Sequence, residues 1–383
     1  MSVTHPRGFR AAGATAGLKP SGRPDVALVV NDGPRYSAAA VFTTNRCKAN
    51  PVLWSEQAVA DGHARAVVLN SGGANCYTGT SGFSVTHSTA ELVGRLLGVG
   101  AAEVVVCSTG LIGEQLDRRR LLGGVEAAAA ALAGTGGAEA ATAIMTTDTR
   151  PKQAVASFEG WSLGGMAKGA GMLAPGLATM LVVLTTDADV DAKTCDQALR
   201  AATRVTFDRL DSDGCMSTND SVLLLASGAS AFRPGHDEFA EAVRQVCSDL
   251  ALQLLADAEG AEHDIAITVV NASSEDDAVA VARSVARSAL FKTAVYGQDP
   301  NWGRILASVG TTAAAFDPSD LDVAINGVWI CRSGGRGESR ELVDMTDRAV
   351  TVTIDLKSGV DSATIWTNDL THAYVHENSA YST

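Results

Sequence analysis

Short apolar runs broken by Gly, Pro and Asn open the chain, with VALVVN at residues 26–31 followed by similar runs at 38–42 and 65–69. Runs of this length bounded by turn residues predict the strands of a sheet. After Ser81 the spacing changes: Val85, Leu92, Val93 and Leu96 recur at helical intervals until Gly98 and Gly100. The chain then enters EVVVCS, a further strand, with Thr109 and Gly110 at its exit. An alanine-rich helix is expected over about 118–133, then a break at 134–137 and a second helix ending in Thr146, Thr147, Asp148 and Thr149. Two strands, near 153–158 and 161–166, lead into the glycine-rich stretch KGAGMLAPGLATMLVVLTTDA.

The second half repeats the alternation. A continuous apolar run at 180–186 reads as a buried strand, and a helix over about 191–203 precedes the polar loop DSDGCMSTND and a strand at 221–226. From Asp237 a long helix follows, because Phe239, Val243, Val246, Leu250 and Leu254 step by three or four onto one stripe before Glu259 and Gly260. A strand at 265–270 leads to a helix opened by Ser274 and Asp277 at capping-box spacing, with Val281, Val285 and Ala289 facing inward. Strands at 321–330, 349–356 and 362–367 close the pattern. Strands and helices alternate in pairs rather than as strict βαβ units, which predicts a layered α/β sandwich rather than a doubly wound sheet or a barrel. No fixed-period repeat appears.

Composition narrows the function classes. With 46 % hydrophobic but only 5 % aromatic residues over 383 positions, the core is expected to consist of Ala, Val and Leu, arranged in two lobes. A formal charge of -13 and the lack of any Lys/Arg run longer than Arg118–Arg120 argue against nucleic acid or an anionic membrane as partner. The seven cysteines are scattered without CxxC spacing, and the seven histidines form no HExxH motif, so neither a disulfide framework nor a metal site is indicated. No apolar signal segment opens the chain, and a cytoplasmic enzyme is the expectation.

Thr179 concentrates the chemistry. It stands where small, turn-forming residues give way to the apolar run, a hydroxyl at the hinge between a tight loop and a buried strand. That placement suits a threonine whose Oγ1 attacks the carbonyl of Ala178, shifts the amide to an ester and cuts the chain. The new N-terminus would carry an α-amine of pKa about 7.7–8.0, able to act as general base for the adjacent hydroxyl.

The same stretch resembles the self-cleavage segment of the ornithine acetyltransferase family, the bifunctional glutamate N-acetyltransferases of the cyclic arginine pathway. Further blocks similar to that family run in order along the chain: NSGGANCYTG from Asn70, CSTGLIG from Cys107, IMTTDT from Ile144, DSDGCMSTND from Asp211, DAEGA from Asp257, QDPNWGRI from Gln298 and YVHENSAYST at the end. The resemblance implies a layered α/β sandwich of the ornithine acetyltransferase and DmpA-like type with two intertwined lobes. It implies residues 1–178 as one chain and 179–383 as a second beginning with the nucleophile, paired into an α2β2 tetramer. The implied reaction moves the acetyl group of N2-acetyl-L-ornithine to L-glutamate by a ping-pong route through an acetyl-Thr179 ester. No cofactor is implied, and use of acetyl-CoA as a second acetyl donor is left open.

Carried over residue by residue, the resemblance assigns the oxyanion site to Thr109 and Gly110, which fits a glycine at a strand exit aiming its N–H without hindrance. Substrate contacts fall on Thr146, Lys168, Thr179, Glu259, Asn378 and Thr383, with Thr146 against Thr147 undecided. A carboxylate suits Lys168, and an amino group suits Glu259 or the terminal carboxylate. Two rivals stay open on the residues: an N-terminal-nucleophile amidohydrolase or aminopeptidase, and a non-processing amino-acid-binding protein. GAGMLA at Gly169 meets the letters of a dinucleotide motif but precedes a strand instead of opening a helix. Cys76, Cys107 and Cys215 sit in Gly- and Ser-rich loops with no histidine nearby in sequence to activate them. DPNWGR is expected to be a turn that shapes a site or an interface.

Overall fold

The computed structural model describes residues 2–172 and 180–380. They fall into two compact units, the first formed by the residues up to Asp208 with Cys215–Asp257, the second by Arg209–Gly214 with the residues from Ala258 onward. This division is a different one from the chain division expected at 178/179.

The first unit carries nine strands among its described residues: β1 (Phe9–Ala14), β2 (Val26–Asn31), β3 (Ser37–Phe42), β4 (Ala66–Ser71), β5 (Val104–Thr109), β6 (Lys152–Ser157), β7 (Ser162–Lys168), β8 (Leu181–Thr186) and β9 (Ser221–Ala226). Its helices are α1 (Asn50–Ala58), α2 (Gly79–Leu97), α3 (Arg118–Ala130), α4 (Gly137–Ala143), α5 (Ala192–Val205) and α6 (His236–Ala256). One sheet has the order β1-β2-β4-β5 and the other β3-β9-β8-β7-β6. Most pairs are antiparallel, with β4–β5 and β8–β9 parallel.

Why β2, β4, β5, β8 and β9 read as unbroken apolar runs is explained by layering. Alternate residues of the first sheet (Ala27, Val29, Val67, Leu69, Val105) meet Met166, Leu181, Val183, Leu223 and Leu225 of the second in a shared core. The other set (Val26, Leu28, Val68, Val104, Val106) packs beneath Val85 and Val93 of α2 and Leu121 and Val125 of α3. The second sheet turns its outer side to α5 and α6. The layers therefore run helices, sheet, sheet, helices, and strands covered on both faces need no polar alternation. Each Val or Leu buried this way contributes about 1.5–3 kcal/mol. The α6 stripe expected from sequence is buried in full: Phe239, Val243, Val246, Leu250 and Leu254. The outer edge of β5 is covered by α1, where Trp54 Nε1 donates to Val104 O at 3.0 Å and Ser55 Oγ to Val106 O at 2.7 Å. An edge strand so capped cannot recruit another chain.

The second unit holds one six-stranded sheet, β13-β12-β11-β14-β10-β15. Its strands are β10 (Asp264–Ala272), β11 (Asp322–Ile325), β12 (Val328–Arg332), β13 (Gly335–Arg336), β14 (Ala349–Asp355) and β15 (Asp361–Asn368), with helices α7 (Glu275–Ala286), α8 (Ala289–Tyr296), α9 (Trp302–Val309) and α10 (His372–Ala380). Ile265, Ile267 and Val269 of β10 pack with Val281 and Val285 of α7 and Ile305 of α9, while the intervening β10 residues are less buried, the alternation of a sheet covered on one face.

Several elements differ from the sequence expectation. The run at 321–330 is two strands, because Asn326 and Gly327 take φ of +46° and +81° and turn the chain into a hairpin. Ser288 caps a new helix, so Ala289 starts α8 rather than lining α7. DPNWGR is the entry to α9, with Asn301 accepting from the Arg304 amide at 3.2 Å. The Ser274 cap holds as expected, accepting from the Asp277 amide. No helix among the described residues is long and apolar enough to cross a membrane.

Candidate active site

In the first unit the site grows from the ends of two strands. Thr109 is the last residue of β5 and Lys168 the last of β7. The Lys168 ammonium donates to Thr109 Oγ1 at 3.2 Å, and both side chains are buried, at 1 % and 2 % exposure. The block from Asn70 sets the Thr109 backbone: the Gly72 and Gly73 amides both donate to the Thr109 carbonyl at 3.0 Å. Asn219 Nδ2, from the polar loop before β9, donates to Ser108 O at 2.8 Å and Ala74 O at 2.6 Å, joining that loop to the same corner. Gly110 follows with φ of +130°, and a Cβ there would lie 2.5 Å from the Gly73 nitrogen. Only glycine fits that position.

Beside this corner lies a buried charge cluster whose pairing no local pattern in the chain announces, although Asp148 and Asp257 stand in the IMTTDT and DAEGA blocks. Asp148 is 2 % exposed and gathers donors from three residues: the Thr146 amide at 2.9 Å and hydroxyl at 3.5 Å, the Gly169 amide at 2.7 Å and Lys152 Nζ at 2.5 Å. Lys152 also reaches Asp257 Oδ2 at 2.5 Å and Gly169 O at 3.0 Å. Asp257 takes the Thr149 amide at 3.0 Å and the Thr149 hydroxyl. Burial pushes the Asp148 carboxyl up, but Lys168, Lys152 and the Gly169 amide outweigh it and hold the group at about 2. The Thr146 backbone is thus tied to the residues around Lys168, whereas no such bond to Thr147 is seen among the described residues.

A second carboxyl behaves in the opposite way. Asp220, wholly buried just before β9, accepts the Met180 amide at 3.0 Å. Burial raises it well above the ordinary carboxylate range, and the Met180 amide, Lys168 and Ser217 offset only part of that. Lys19 belongs to the same electrostatic neighbourhood: burial lowers it to about 8, with Asp25 opposing the shift, Lys168 adding to it and Asp148 opposing it. Lys19, Asp148, Lys152 and Asp220 were all missed from sequence, since buried charge pairs from distant positions leave no periodic trace. Burial pushes the Cys107 thiol to about 12, which removes it as a nucleophile.

Glu259 and Asn378 belong to the second unit. There the turn after Glu259 is fastened to α10, since Thr371 Oγ1 donates to Gly260 O at 2.6 Å and accepts from the Tyr374 amide at 2.9 Å. Asn378, exposed on α10, donates back to Tyr374 O at 3.0 Å. Ala178, Thr179 and Thr383 lie outside the described residues.

Against known proteins, the model of the ArgJ family matches residues 10–383. The chain belongs to the ArgJ family. Its relatives include the arginine biosynthesis bifunctional protein ArgJ of Streptomyces coelicolor, 65 % identical over 382 residues with 100 % of both chains covered. The ArgJ of Streptomyces avermitilis is 64 % identical over the same span, again with 100 % of both covered. Among solved structures, ornithine acetyltransferase from Mycobacterium tuberculosis, complexed with ornithine, is 54 % identical; the match covers 47 % of this chain and 96 % of that one, at a TM-score of 0.45. For this ArgJ family member, the matches to both Streptomyces relatives cover the whole chain.

Proposed function

We propose that this ArgJ family chain is an ornithine acetyltransferase of arginine biosynthesis, active in the cytoplasm, that first cuts itself between Ala178 and Thr179. The observation that carries the reading is the rigid Thr109–Gly110 corner beside buried Lys168, in a chain 65 % identical end to end to a protein named arginine biosynthesis bifunctional protein ArgJ. In the cut, Thr179 Oγ1 adds to the Ala178 carbonyl, the C–N bond breaks, and the departing nitrogen takes a proton to become the free α-amine. Water then hydrolyses the ester, returning the hydroxyl and leaving Ala178 as a carboxylate.

In transfer, that amine takes the Thr179 hydroxyl proton as the oxygen attacks the acetamide carbonyl of N2-acetyl-L-ornithine. The proton passes to the leaving ornithine amine, and acetyl remains as an ester on Thr179. L-glutamate then attacks the ester through its own amine. Negative charge on the tetrahedral oxygen in each step falls to the Thr109 hydroxyl and the Gly110 amide, where losing one donor costs about 2.7–4 kcal/mol of barrier. Thr146, Lys168, Glu259, Asn378 and Thr383 are proposed to hold the amino-acid part of the substrates, and two αβ pairs to form the assembly. Acetyl-CoA as a second donor fits the word bifunctional in the relatives' name.

The test is denaturing mass spectrometry of wild type and Thr179→Ala, followed by mixing N2-acetylornithine with glutamate. Two chains split at 178/179 and formation of N-acetylglutamate are expected of wild type, with one uncut inactive chain from the variant. A cleaved, active Thr179→Ala protein overturns the nucleophile. Release of free acetate with no N-acetylglutamate would make the chain a hydrolase.

A further inference from the structure

An ammonium group has three donors and no acceptor. In the contact between Lys168 Nζ and Thr109 Oγ1 at 3.2 Å, the threonine oxygen is therefore the acceptor, and its own proton must point elsewhere. A serine or threonine hydroxyl in open solvent spins among several directions. This one cannot, because turning its proton toward Lys168 would set it against a buried positive charge. The rest of Thr109 is equally fixed: its carbonyl is held by the Gly72 and Gly73 amides, and the next residue, Gly110, is seated against the same two glycines.

Lys168 in turn is anchored at the end of β7, in register with Leu181 on β8. The amide of Gly169 beside it is tied to Asp148 at 2.7 Å, a carboxylate that is itself paired with Lys152 Nζ at 2.5 Å. A lysine that spends one of its donors on Thr109 can do more than hold a substrate carboxylate.

We infer that Lys168 is a positioning residue for Thr109: by occupying a lone pair of the threonine hydroxyl, its ammonium turns the hydroxyl proton toward the developing oxyanion. The inference rests on the proposed oxyanion role of Thr109. It also explains why a lysine is buried at a strand end, since its charge adds to the field that stabilises the tetrahedral oxygen. Pre-aimed donors need no reorganisation when charge develops, and both self-cleavage and acetyl transfer benefit, because each passes through a tetrahedral oxyanion.

A double-mutant cycle on the full chain tests it, using Thr109→Ala, Lys168→Met and the double variant. The precursor is made by cell-free synthesis and its self-cleavage followed by denaturing mass spectrometry. Thr109→Ala is expected to slow cleavage about 100- to 1,000-fold, the range for removing one oxyanion donor. Lys168→Met is expected to slow it by about tenfold or more, and the double variant to be no slower than Thr109→Ala within about threefold. Multiplying effects would overturn the inference while leaving Thr109 an oxyanion donor. An unaffected Thr109→Ala would instead refute the oxyanion role itself. Lys168→Gln, which keeps a donor for Thr109 without the charge, is expected to recover part of the rate, and it serves in place of Lys168→Met should circular dichroism show the latter unfolded. In variants that mature, kcat for transfer is expected to fall with KM for glutamate little changed. A tenfold rise in KM at unchanged kcat would make Lys168 a substrate anchor alone.

Discussion

Lys168 and Leu181 stand opposite each other in register on neighbouring antiparallel strands, and the Ala178–Thr179 bond lies in the chain that joins them. A cut there would divide one sheet between two polypeptides without removing a strand. The apolar core is divided in the same way, with Met166 from one side of the cut packed among Leu181, Val183, Leu223 and Leu225 from the other. Two chains sharing a ladder and a core are expected to remain one particle. Size-exclusion chromatography and native mass spectrometry of the cleaved protein should show no free 1–178 or 179–383 fragment at micromolar concentration, and separation only in denaturant. A fragment that dissociates on dilution would contradict the interleaved sheet.

Gly110 is the next point of leverage. A methyl group there would lie 2.5 Å from the Gly73 nitrogen and 2.9 Å from the Gly72 carbonyl carbon, both backbone atoms that cannot swing aside, and φ of +130° is itself strained for any side chain. Gly110→Ala should cost about 1–3 kcal/mol of stability. By shifting the amide proposed for the oxyanion site it should also slow self-cleavage by about 100-fold or more. Gly123 gives the contrast: it is exposed inside α3, and a methyl group placed there would have nothing within 4 Å, so Gly123→Ala should gain about 0.5–1 kcal/mol and leave cleavage alone. Urea unfolding and a cleavage time course on both variants check the pair.

In the first unit the layered architecture was legible because its central strands are covered on both faces and its longest helix, α6, carries a complete apolar stripe. Elements with weaker contrast escaped. β1 (FRAAGA) is too poor in β-branched residues to announce a strand, and α1 has Pro51 as its start signal but a face that is only partly apolar. The Asn326–Gly327 pair was a readable hairpin signal passed over inside an apolar run. In the site, Thr109, Gly110 and Lys168 stand in recognisable blocks, and the structure brings Thr109 and Lys168 into contact. The buried carboxylates and lysines around them were hidden for a physical reason: Asp148, Lys152 and Asp257 meet only after β6 and the end of α6 are folded together.

That cluster makes stability depend on acid in a definite direction. Asp148 sits at about 2 in the folded chain, below the value of about 3.9 for a free side chain. A carboxyl lowered by folding contributes stability that is complete above its unfolded pKa and is lost as pH falls through the folded one. Asp148→Asn should therefore cost about 2–3 kcal/mol near neutral pH, and the gap to wild type should close between about pH 4 and pH 2. Denaturant midpoints measured across that range check it. A gap that persists unchanged at pH 2 would assign the loss to packing rather than to charge.

Asp220 should show the reverse slope. It is wholly buried, and burial lifts it well above the ordinary range despite the Met180 amide and the nearby Lys168 charge. A carboxyl raised by folding keeps its proton in the native chain while the unfolded chain gives its proton up, so its contribution to stability declines as pH rises above about 3.9. Asn reproduces the neutral shape and still offers an oxygen to the Met180 amide, but it has no proton to lose. Asp220→Asn should match or fall slightly below wild type near pH 4 and gain on it steadily toward pH 8, in urea midpoints taken at intervals between. A variant that instead loses ground as pH rises would mean Asp220 is ionised in the folded chain and paired with Lys168, and the two carboxyls flanking that lysine would then carry the same charge.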